Sequence, residues 1–505
     1  MAIERELKFR LAPSALERAQ RLLPFAARMR RRRVDSVYYD TPDLRLEAAR
    51  AALRLRRDGR QWLQAFKAPQ GAQSALAERN EWEMPAPRGR VDASLFPREP
   101  VRAASGLDLV RLARSLRPVF ATRFERRSAL LRLGHGLRAE ACIDRGAIEA
   151  GGAREPIFEL ELELLEGKLA PLLRLAETLV EPLGLEIEPA SKAERGYRLY
   201  RSARPAPAKW PHPAIAENAA ASDAFATLCS AALAQIAANA GGVARGTDPE
   251  YLHQLRVGAR RLRSALRAFR PLLRRRRAAG VELPFKRMMQ VFGEARDWDV
   301  FCEALAEGKA APALLAAARR RRGGARRAAR QVVRSAEFQL AQLAALRWLH
   351  GNPWRSEASR GQPLAAFARR SLDRLHALVL KQARKIDWRD ATRRHAVRIA
   401  VKRLRYACDF FAPCFPHQAV SPLLHALSAL QDTLGELNDI AVGRPLLDQV
   451  APKVAPPALR QAAGRVRAGL AARERELIAS LANDWPAFER KRPYWRLPRA
   501  PRARR

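Results

Sequence analysis

The chain has 505 residues, of which 48% are apolar, and this length argues against one compact domain and favours two or three. Its 94 basic residues outnumber 52 acidic residues, which gives a formal net charge of +42. Because so basic a chain repels itself, we expect an anionic partner, whether nucleic acid, an acidic membrane surface or a phosphate polymer.

The cysteines and the apolar segments argue against a secreted or membrane-embedded protein. No two of the five cysteines form a Cys-x-x-Cys pair, so neither a disulfide framework nor a thiolate zinc site is expected. The opening MAIERELKFR lacks an apolar signal core, and no stretch approaches the roughly 18 uncharged apolar residues of a membrane span. We expect a soluble, cytoplasmic protein without membrane insertion.

The first 200 residues show the period-two alternation that is typical of β-strands. Two such runs, residues 53–57 and 61–67, flank Asp58-Gly59, which is a strong signal for a β-hairpin. Helical spacing occurs twice in this region, in residues 14–23 and 169–183.

Two of the predicted strands carry acidic faces. In residues 3–11, Glu4 and Glu6 project from the same face, and Lys8 is next in line. Residues 158–165 repeat the pattern as FELELELL. If both faces line a closed barrel, their like charges are unfavourable unless cations neutralise them, and carboxylate oxygens suit Mg²⁺ or Mn²⁺.

Other predicted strands carry basic faces, which contain Arg54, Arg56, Lys67 and Arg126. Arginine binds phosphate oxygens bidentately, while lysine offers a point charge. Each alternation taken singly also fits the solvated face of an amphipathic strand. Because acidic and basic faces recur together within one small region, the pattern favours a metal-bridged polyphosphate site.

Eight motifs follow one another through residues 1–200: Glu4-x-Glu6-x-Lys8, Tyr38-Tyr39-Asp40-Thr41, Leu53-Arg54-Leu55-Arg56, Lys67, Arg79-x-Glu81, Arg126, Glu159-Leu-Glu161-Leu-Glu163 and Ser191-Lys192-x-x-Arg195-Gly196-Tyr197. In this order they resemble the CYTH family, the triphosphate tunnel metalloenzymes. The likeness is strongest to the bacterial inorganic triphosphatases that carry a C-terminal CHAD domain. The resemblance implies an eight-stranded antiparallel β-barrel, open as a tunnel and flanked by helices.

The same resemblance implies roles for charged residues of the barrel. Four glutamates would bind Mg²⁺ or Mn²⁺, with Glu81 and Glu159 in support: Glu4, Glu6, Glu161 and Glu163. Six basic residues would bind the triphosphate: Lys8, Arg54, Arg56, Lys67, Arg126 and Lys192. The expected catalytic residues are Glu4, Glu6 and Lys8. The implied reaction is metal-assisted hydrolysis of tripolyphosphate to pyrophosphate and phosphate, without a covalent phosphoenzyme.

A proline-rich segment separates this region from the rest of the chain. Residues 202–214 (SARPAPAKWPHPA) have almost no periodicity, as is typical of a semi-rigid linker. Nearly everything beyond is helical in pattern and rich in Ala, Leu and Arg. We therefore predict an α+β protein with a barrel domain in residues 1–201, a helical domain in 215–485 and a basic tail in 486–505.

The helical region contains an internal repeat, in which HQLRVGARRLR from His253 matches HAVRIAVKRLR from His395, an offset of 395 − 253 = 142 residues. The match continues at the same offset without a gap: Phe269 with Phe411, Pro271 with Pro413, Gly293-Glu294 with Gly435-Glu436, Asp297 with Asp439, and Val300 with Val442. We expect two copies of one helical bundle, packed about a pseudo-two-fold axis.

Basic side chains recur at helical spacing in both copies: His253, Arg256, Arg260, Arg263, Arg267, Arg270 and Arg274 in the first, and, repeating the start of this stripe, His395, Arg398, Lys402 and Arg405 in the second. Such a stripe is unfavourable against another helix without counter-anions, so it faces solvent or lines an anion-filled cleft. Its duplication favours an anion-binding surface over a merely solvated helix face. Because the histidines stand among cations, we expect them to donate hydrogen bonds to phosphate rather than to bind metal.

Together with FGEARDWDV in residues 292–300 and its partner LGELND in 434–439, these repeats resemble the CHAD family, a helical domain found beside CYTH domains. The resemblance covers residues 215–485. It implies binding of long-chain inorganic polyphosphate by the stripe and localisation to polyphosphate granules. Asp297 and Asp439 are expected to orient the arginines through ion pairs.

Other functions remain compatible with the sequence. The substrate of the barrel could be thiamine triphosphate or a nucleoside triphosphate, and some CYTH members are adenylate cyclases. A binding protein of polyphosphate granules with a weakly active barrel is the alternative from another class. The stripes lack interleaved aromatic residues and no RRM, KH or OB-type motif is present, so we expect nucleic acid to bind only non-specifically in vitro, through the net charge.

Overall fold

The computed structural model describes residues 2–22, 29–59, 61–69, 76–86, 89–133 and 136–496. Of the basic tail predicted in residues 486–505, the part beyond residue 496 lies outside these residues, whereas Phe488, Tyr494 and Trp495 are buried. By their contacts, the described residues form two compact units. The first unit comprises Met1–Pro211, Ser230–Gly258 and Val333–Asn352, and the second comprises His212–Cys229, Ala259–Val332 and Pro353–Arg505.

The first unit contains an antiparallel β-barrel built from the N-terminal strands. The strands are β1 (Ala2–Arg10), β2 (Arg30–Asp40), β3 (Ala52–Asp58), β4 (Gln61–Pro69), β5 (Leu76–Pro85), β6 (Arg117–Leu133), β7 (Leu137–Ala150), β8 (Ala153–Glu166) and β9 (Glu186–Ile187). The order is β5-β4-β3-β2-β6-β7-β8-β1, and β1 also pairs with β5, which closes the barrel, while β9 adds to β1. The predicted eight-stranded antiparallel barrel is confirmed, and so is the hairpin at Asp58-Gly59.

The register of β1 determines which charged side chains meet. On one side Glu6 lies opposite Glu163, and Lys8 lies opposite Glu161. On the other side Glu4 lies opposite Arg79. Because alternate residues of a strand share a face, these partners all project to the same side of the sheet. One strand therefore brings both predicted acidic faces together.

Six helices accompany the strands of the barrel: α1 (Leu16–Leu22), α2 (Arg45–Ala48), α3 (Arg98–Ser105), α4 (Leu109–Leu112), α5 (Leu169–Leu183) and α6 (Lys192–Tyr200). The predicted helix at residues 169–183 coincides with α5. The one at 14–23 is a 3₁₀ turn followed by α1, and residue 23 lies outside the described residues. Helix α6 begins with a capping box, because the Ser191 hydroxyl and the Glu194 carboxylate each accept a backbone N–H of the other residue.

The described residues beyond 202 contain helices and no strand longer than an isolated bridge. The helices are α7 (Ala221–Arg245), α8 (Pro249–Ala268), α9 (Arg275–Glu307), α10 (Pro312–Arg334), α11 (Ala336–Leu349), α12 (Glu357–Arg360), α13 (Leu364–Ala383), α14 (Ala391–Phe411), α15 (His417–Val450) and α16 (Pro457–Glu489). Among the described helices, α7 alone is long and apolar enough to cross a membrane. However, 72% of its most apolar window is buried in the protein, as is usual for a core helix.

The internal repeat is visible in the helices themselves. The start of α14 follows that of α8 by 391 − 249 = 142 residues, and the start of α15 follows that of α9 by 417 − 275 = 142. The repeated phenylalanines pack together, with ring centroids of Phe269 and Phe411 5.6 Å apart. Phe225 and Phe367 share the offset. Phe225 contacts Phe269 at 5.2 Å, and Phe367 contacts both Phe269 and Phe411, at 5.1 and 5.9 Å. Equivalent residues therefore meet in one aromatic core.

Candidate active site

The carboxyl groups of Glu6 and Glu163 form an acidic pair inside the barrel. Glu6 is 6% exposed, and its Oε1 is buried without a hydrogen-bond partner among the described residues. Burial and the neighbouring Glu161 raise the pKa of Glu6 to about 8. Burial and Glu4 raise the pKa of Glu163 to about 7. Lys8 lowers the pKa of Glu6 and Lys67 lowers that of Glu163, but neither cation offsets the effect of burial and of the neighbouring carboxylates.

Glu4, on the same face of β1, has a cation partner. The Lys67 ammonium donates to both carboxylate oxygens of Glu4, at 2.7 and 2.8 Å, and lies 3.2 Å from Glu81. Burial opposes ionisation of Glu4, but Lys67 outweighs it and holds the pKa of Glu4 below its ordinary value. The register of β4 against β5, which sets Lys67 opposite Glu81, creates this contact.

A second, denser charge network lies around Lys192 at the start of α6. The Lys192 ammonium lies 2.8 Å from Asp144, 2.7 Å from Glu159 and 2.5 Å from Glu161. Arg126 donates to both oxygens of Asp144, at 2.7 and 2.6 Å, and also contacts Glu161. Burial alone would raise the pKa of Glu161, but Lys192 and Arg126 hold it well below its ordinary value.

Among the described residues, one group of three carboxylates lies close enough together to hold a metal ion, and of the four predicted ligands it contains Glu161 only. Oxygens of Asp144, Glu159 and Glu161 lie within 4.8 Å of one another, yet three cations already form ion pairs with them: Lys192, Arg126 and Arg195. Within the part of the chain that the structure describes, the predicted ligands Glu6 and Glu163 form no such ion pair, and Oε1 of Glu6 is buried without a hydrogen-bond partner. Oxygen-only donors suit Mg²⁺ or Mn²⁺. Glu6 and Glu163 therefore fit a hard divalent cation better than the group of Asp144, Glu159 and Glu161 does.

The ten residues predicted to bind the metal ion or the triphosphate all line one cavity of about 610 Å³: Glu4, Glu6, Lys8, Arg54, Arg56, Lys67, Arg126, Glu161, Glu163 and Lys192. Of the two supporting glutamates, Glu81 also lines it, whereas Glu159 is not among its lining residues. Two guanidinium nitrogens of the lining, Arg54 Nε and Arg79 Nη2, are buried without a hydrogen-bond partner among the described residues. Such N–H groups are available to an anionic ligand. The cavity thus combines unpaired carboxylates with unpaired guanidinium donors.

In the second unit, Arg260 of the first copy meets Arg398 and Lys402 of the second. Burial, together with Arg260 and Arg398, lowers the pKa of Lys402 to about 7. Burial and Arg260 also lower the pKa of Arg398, while Asp439 attracts both cations. These three residues of the predicted stripe therefore form one cluster whose mutual repulsion a bound anion would relieve.

The other stripe residues have different surroundings. His395 Nδ1 lies 3.2 Å from the Asn438 Oδ1, and Arg405 donates to Gln431 at 2.7 Å. Arg263 donates to Glu282 at 3.3 Å. His253 and Arg256 lie on the part of α8 that belongs to the first unit.

Two family models match the chain. The CYTH domain model matches residues 2–197, and the CHAD domain model matches residues 227–448. The chain therefore consists of a CYTH domain followed by a CHAD domain. Both family resemblances seen in the sequence are confirmed.

Relatives are found for each half. An inorganic triphosphatase of Haemophilus influenzae is 30% identical over 206 residues, which are 39% of this chain and 55% of that protein, so the chain spans about half the length of this curated relative. The CHAD domain structure from the plant Ricinus communis is 30% identical, with 57% of this chain and 98% of that one covered and a TM-score of 0.49. A putative adenylyl cyclase of Hippeastrum, described as having a dominant triphosphatase activity, is 18% identical over 39% of this chain and 95% of that one, with a TM-score of 0.28.

Residues of the CYTH domain that sequence reasoning did not assign also contribute. Asp144 is fully buried between Arg126 and Lys192, and Arg195 joins Glu155 at 2.7 Å and contacts Glu159. Further charged residues line the cavity: Arg32, Arg50, Arg79, Glu83 and Glu140. The sequence did contain one signal for Asp144: Glu140, Cys142 and Asp144 alternate along β7 and therefore share one face of the strand.

Proposed function

We propose that the CYTH domain hydrolyses inorganic tripolyphosphate to pyrophosphate and phosphate with Mg²⁺ or Mn²⁺. The CYTH domain and the likeness to an inorganic triphosphatase support a triphosphatase-type function. The observation that carries the proposal is the single cavity of about 610 Å³ in which unpaired carboxylates and unpaired guanidinium donors occur together.

Under this proposal, Glu4, Glu6 and Glu163, with Glu161 beside them, hold the metal ion. A bound ion would neutralise these carboxylates and stabilise the charge that develops on the phosphate oxygens. Arg54, Lys67 and Arg126 hold the phosphate chain from the basic side of the cavity. Lys8 is fixed near them, because its ammonium donates to the Ala190 carbonyl at 3.2 Å.

The cavity favours direct attack by water over a covalent route. Cys142 lines the cavity, but burial raises the pKa of this thiol well above its ordinary value. Because the thiolate is the nucleophilic form, Cys142 is unsuited to attack phosphorus. No histidine occurs among the described residues of the lining. Hydrolysis would therefore depend on positioning and electrostatic stabilisation.

The aromatic lining supports tripolyphosphate over a nucleoside triphosphate. Lys192 and Arg126 lie over the Phe124 ring, at 5.1 and 5.5 Å from its centroid. Tyr38 stacks on Phe120 with centroids 4.4 Å apart. These rings are already in contact with side chains of the protein, so the described lining offers no vacant aromatic face on which a base or thiazole could stack.

A substrate panel tests this proposal. The purified chain is incubated with tripolyphosphate, ATP and thiamine triphosphate, each with Mg²⁺, Mn²⁺ or a chelator, and products are resolved by phosphorus NMR. We expect the highest kcat/KM for tripolyphosphate and no turnover with the chelator. A higher kcat/KM for either organic triphosphate would overturn the substrate assignment, and cyclic AMP as the ATP product would show a cyclase instead.

We further propose that the CHAD domain binds long-chain inorganic polyphosphate through the cluster of Arg260, Arg398 and Lys402, and that this binding retains the protein at cytoplasmic polyphosphate granules. The mutual repulsion of these cations and the lowered pKa of Lys402 support an anion site. Arg260→Glu with Lys402→Glu should weaken polyphosphate binding. The exposed pair Arg320→Glu with Arg460→Glu makes the same change in net charge and serves as the control. Equal affinities of the two variants would contradict the assignment.

A further inference from the structure

A second basic cavity, of about 870 Å³, lies within the second unit at the end of the predicted stripe, which contributes Arg267, Arg270 and Arg274 to its lining. One wall is formed where α8 ends and α9 begins, and it carries Arg267, Arg270, Arg274 and Arg275. We name this cavity the arginine basin.

The opposite wall of the arginine basin adds Arg355, Arg374 and Arg403. Among the described residues that line it, the one carboxylate is Glu282. Glu282 is already engaged, because it accepts hydrogen bonds from Arg263 and Arg267 at 3.3 and 3.0 Å. Positive charge in the basin is therefore far from balanced by the protein.

Two further observations indicate that the arginine basin is suited to bind an anion. The Nε of Arg403 is buried and has no hydrogen-bond partner among the described residues, and burial together with Arg267 lowers the pKa of Arg403. The 33-residue helix α9 begins at the basin with Arg274 as its N-cap, without a side-chain cap and without an acidic residue in its first turn. The positive end of the α9 dipole therefore adds to the arginines instead of being neutralised.

The internal repeat shows that the helical scaffold does not require this charge. At the offset of 142, Arg267 corresponds to Asp409, Arg270 to Ala412 and Arg274 to Pro416. The counterpart of Arg403 is Arg261, which lies 3.7 Å from Asp409 and stacks on the Tyr406 ring at 5.2 Å. At the equivalent place of the repeat, the arginine of the first copy thus pairs with a carboxylate of the second copy, whereas the basin has basic residues at the corresponding positions.

We propose that the arginine basin is a second anion site of the CHAD domain and binds a short oligophosphate or the end of a phosphate chain. Guanidinium forks match phosphoryl oxygens bidentately, and a confined cavity favours a compact, highly charged anion over a duplex. The site lies outside the cluster of Arg260, Arg398 and Lys402. It does not depend on hydrolysis in the CYTH domain.

The test uses the full chain with Arg270→Glu and Arg374→Glu, two exposed basin residues, beside the charge-matched Arg320→Glu and Arg460→Glu control. Tripolyphosphate is titrated calorimetrically with a chelator present, so that metal-dependent turnover cannot occur. We expect the basin variant to lose one class of bound tripolyphosphate, with the Kd of that class weakened roughly tenfold or more. The control variant should keep it.

Equal binding by the basin and control variants would overturn the proposal, as would equal weakening, which would show a net-charge effect only. Duplex DNA forms a separate arm: if the basin variant loses affinity for DNA and keeps it for tripolyphosphate, the basin is a nucleic-acid surface and the proposal is wrong. Metal-dependent hydrolysis is measured in parallel. Its absence in the unmodified chain would refute the function proposed for the CYTH domain, while the binding result would still decide the basin.

Discussion

At the scale of single residues, the acidic pair of Glu6 and Glu163 couples stability to pH and to metal. The pKa values of these carboxyls, about 8 and about 7, exceed their ordinary value of 4.5. A raised pKa of an acid contributes stability that is fully present below pH 4.5 and is lost as the pH rises through 7 and 8. The first cause is burial and the second is the charge of a neighbouring carboxylate, Glu161 for Glu6 and Glu4 for Glu163, which a divalent cation would offset.

We therefore expect the metal-free chain to melt at progressively lower temperature as the pH rises from 5 to 9. Mg²⁺ or Mn²⁺ should raise the melting temperature more at pH 8.5 than at pH 5.5, because ligands must be deprotonated to bind. Calorimetric melting with and without a chelator measures both effects. Glu6→Gln with Glu163→Gln is the control that should remove this pH dependence, and a metal effect independent of pH would contradict the assignment.

Lys402 should make polyphosphate binding depend on pH in the direction opposite to metal binding. Its pKa of about 7 in the free protein is depressed by burial and by Arg260 and Arg398, and a bound polyphosphate would raise it. Above pH 7, Lys402 is mostly neutral in the free protein, so it takes up a proton when polyphosphate binds. Polyphosphate affinity should fall with rising pH above 7, by at most about tenfold per pH unit from this group.

Lys402→Arg is the matched variant, since arginine stays charged throughout this range. Affinity measured by fluorescence titration between pH 6 and 9 should depend less on pH in this variant. An identical profile in the two proteins would exclude Lys402 as the responsible group.

The sequence was sufficient to identify those residues of the cavity that lie on strands with an evident alternation of charged and apolar residues. Glu4, Glu6 and Glu161 belong to such strands. The alternation on β7 places Asp144 on a shared face, but its role was missed because that role depends on contacts with Arg126 and Lys192, which are distant in sequence. The register of the barrel decides which carboxylate lies beside which cation. The lowered pKa of Glu4 and the raised pKa of Glu6 could therefore not be predicted from the sequence either.

At the scale of elements, helix α6 depends on one glycine for its position against the barrel. A Cβ added to Gly196 would lie 2.2 Å from the Phe120 ring, which itself stacks on Tyr38. Because α6 starts at Lys192, a shift of this helix would displace Lys192 from its three carboxylates. A close helix–strand approach thus determines the geometry of the charge network.

Gly196→Ala should destabilise the protein by about 1–3 kcal/mol, as overpacking does, and should lower kcat for tripolyphosphate. Denaturant unfolding and steady-state kinetics measure the two effects. The control is Gly464→Ala within α16, where a Cβ meets nothing within 4 Å, and it should stabilise by about 0.4–1 kcal/mol. Full stability and activity of the Gly196 variant would show that the approach of α6 can relax without consequence.

Helices and strands could be predicted from the sequence where the local residue pattern indicates the same element that packing in the folded protein favours. The β3–β4 hairpin follows from Asp58-Gly59, and the repeat follows from matching letters at a constant offset. The surroundings of α11 did not follow, because they depend on buried polar contacts between distant segments. The Gln339 side chain accepts the backbone N–H of Ile187 at 3.1 Å, and Arg347 donates to Glu177 at 2.8 Å.

At the scale of the whole molecule, the net charge of +42 predicts non-specific attraction to any polyanion. If duplex DNA binds through some 6–10 phosphate contacts, affinity should fall by about 10³–10⁵ between roughly 50 and 200 mM salt. Gel-shift titration at several salt concentrations measures this slope, and polyphosphate should compete with the DNA. DNA affinity that is insensitive to salt would contradict a purely electrostatic origin.

The most direct test of the central claim is metal-dependent hydrolysis of tripolyphosphate by the full chain, compared with Glu6→Gln and with Glu99→Gln, an exposed glutamate of the same domain. Phosphate release is followed with Mg²⁺ or Mn²⁺ and with a chelator. We predict turnover only with the metal, a loss of about 100-fold or more in kcat for Glu6→Gln, and unchanged kcat for Glu99→Gln. Turnover that persists in the chelator, or equal activity of the two variants, would contradict the account.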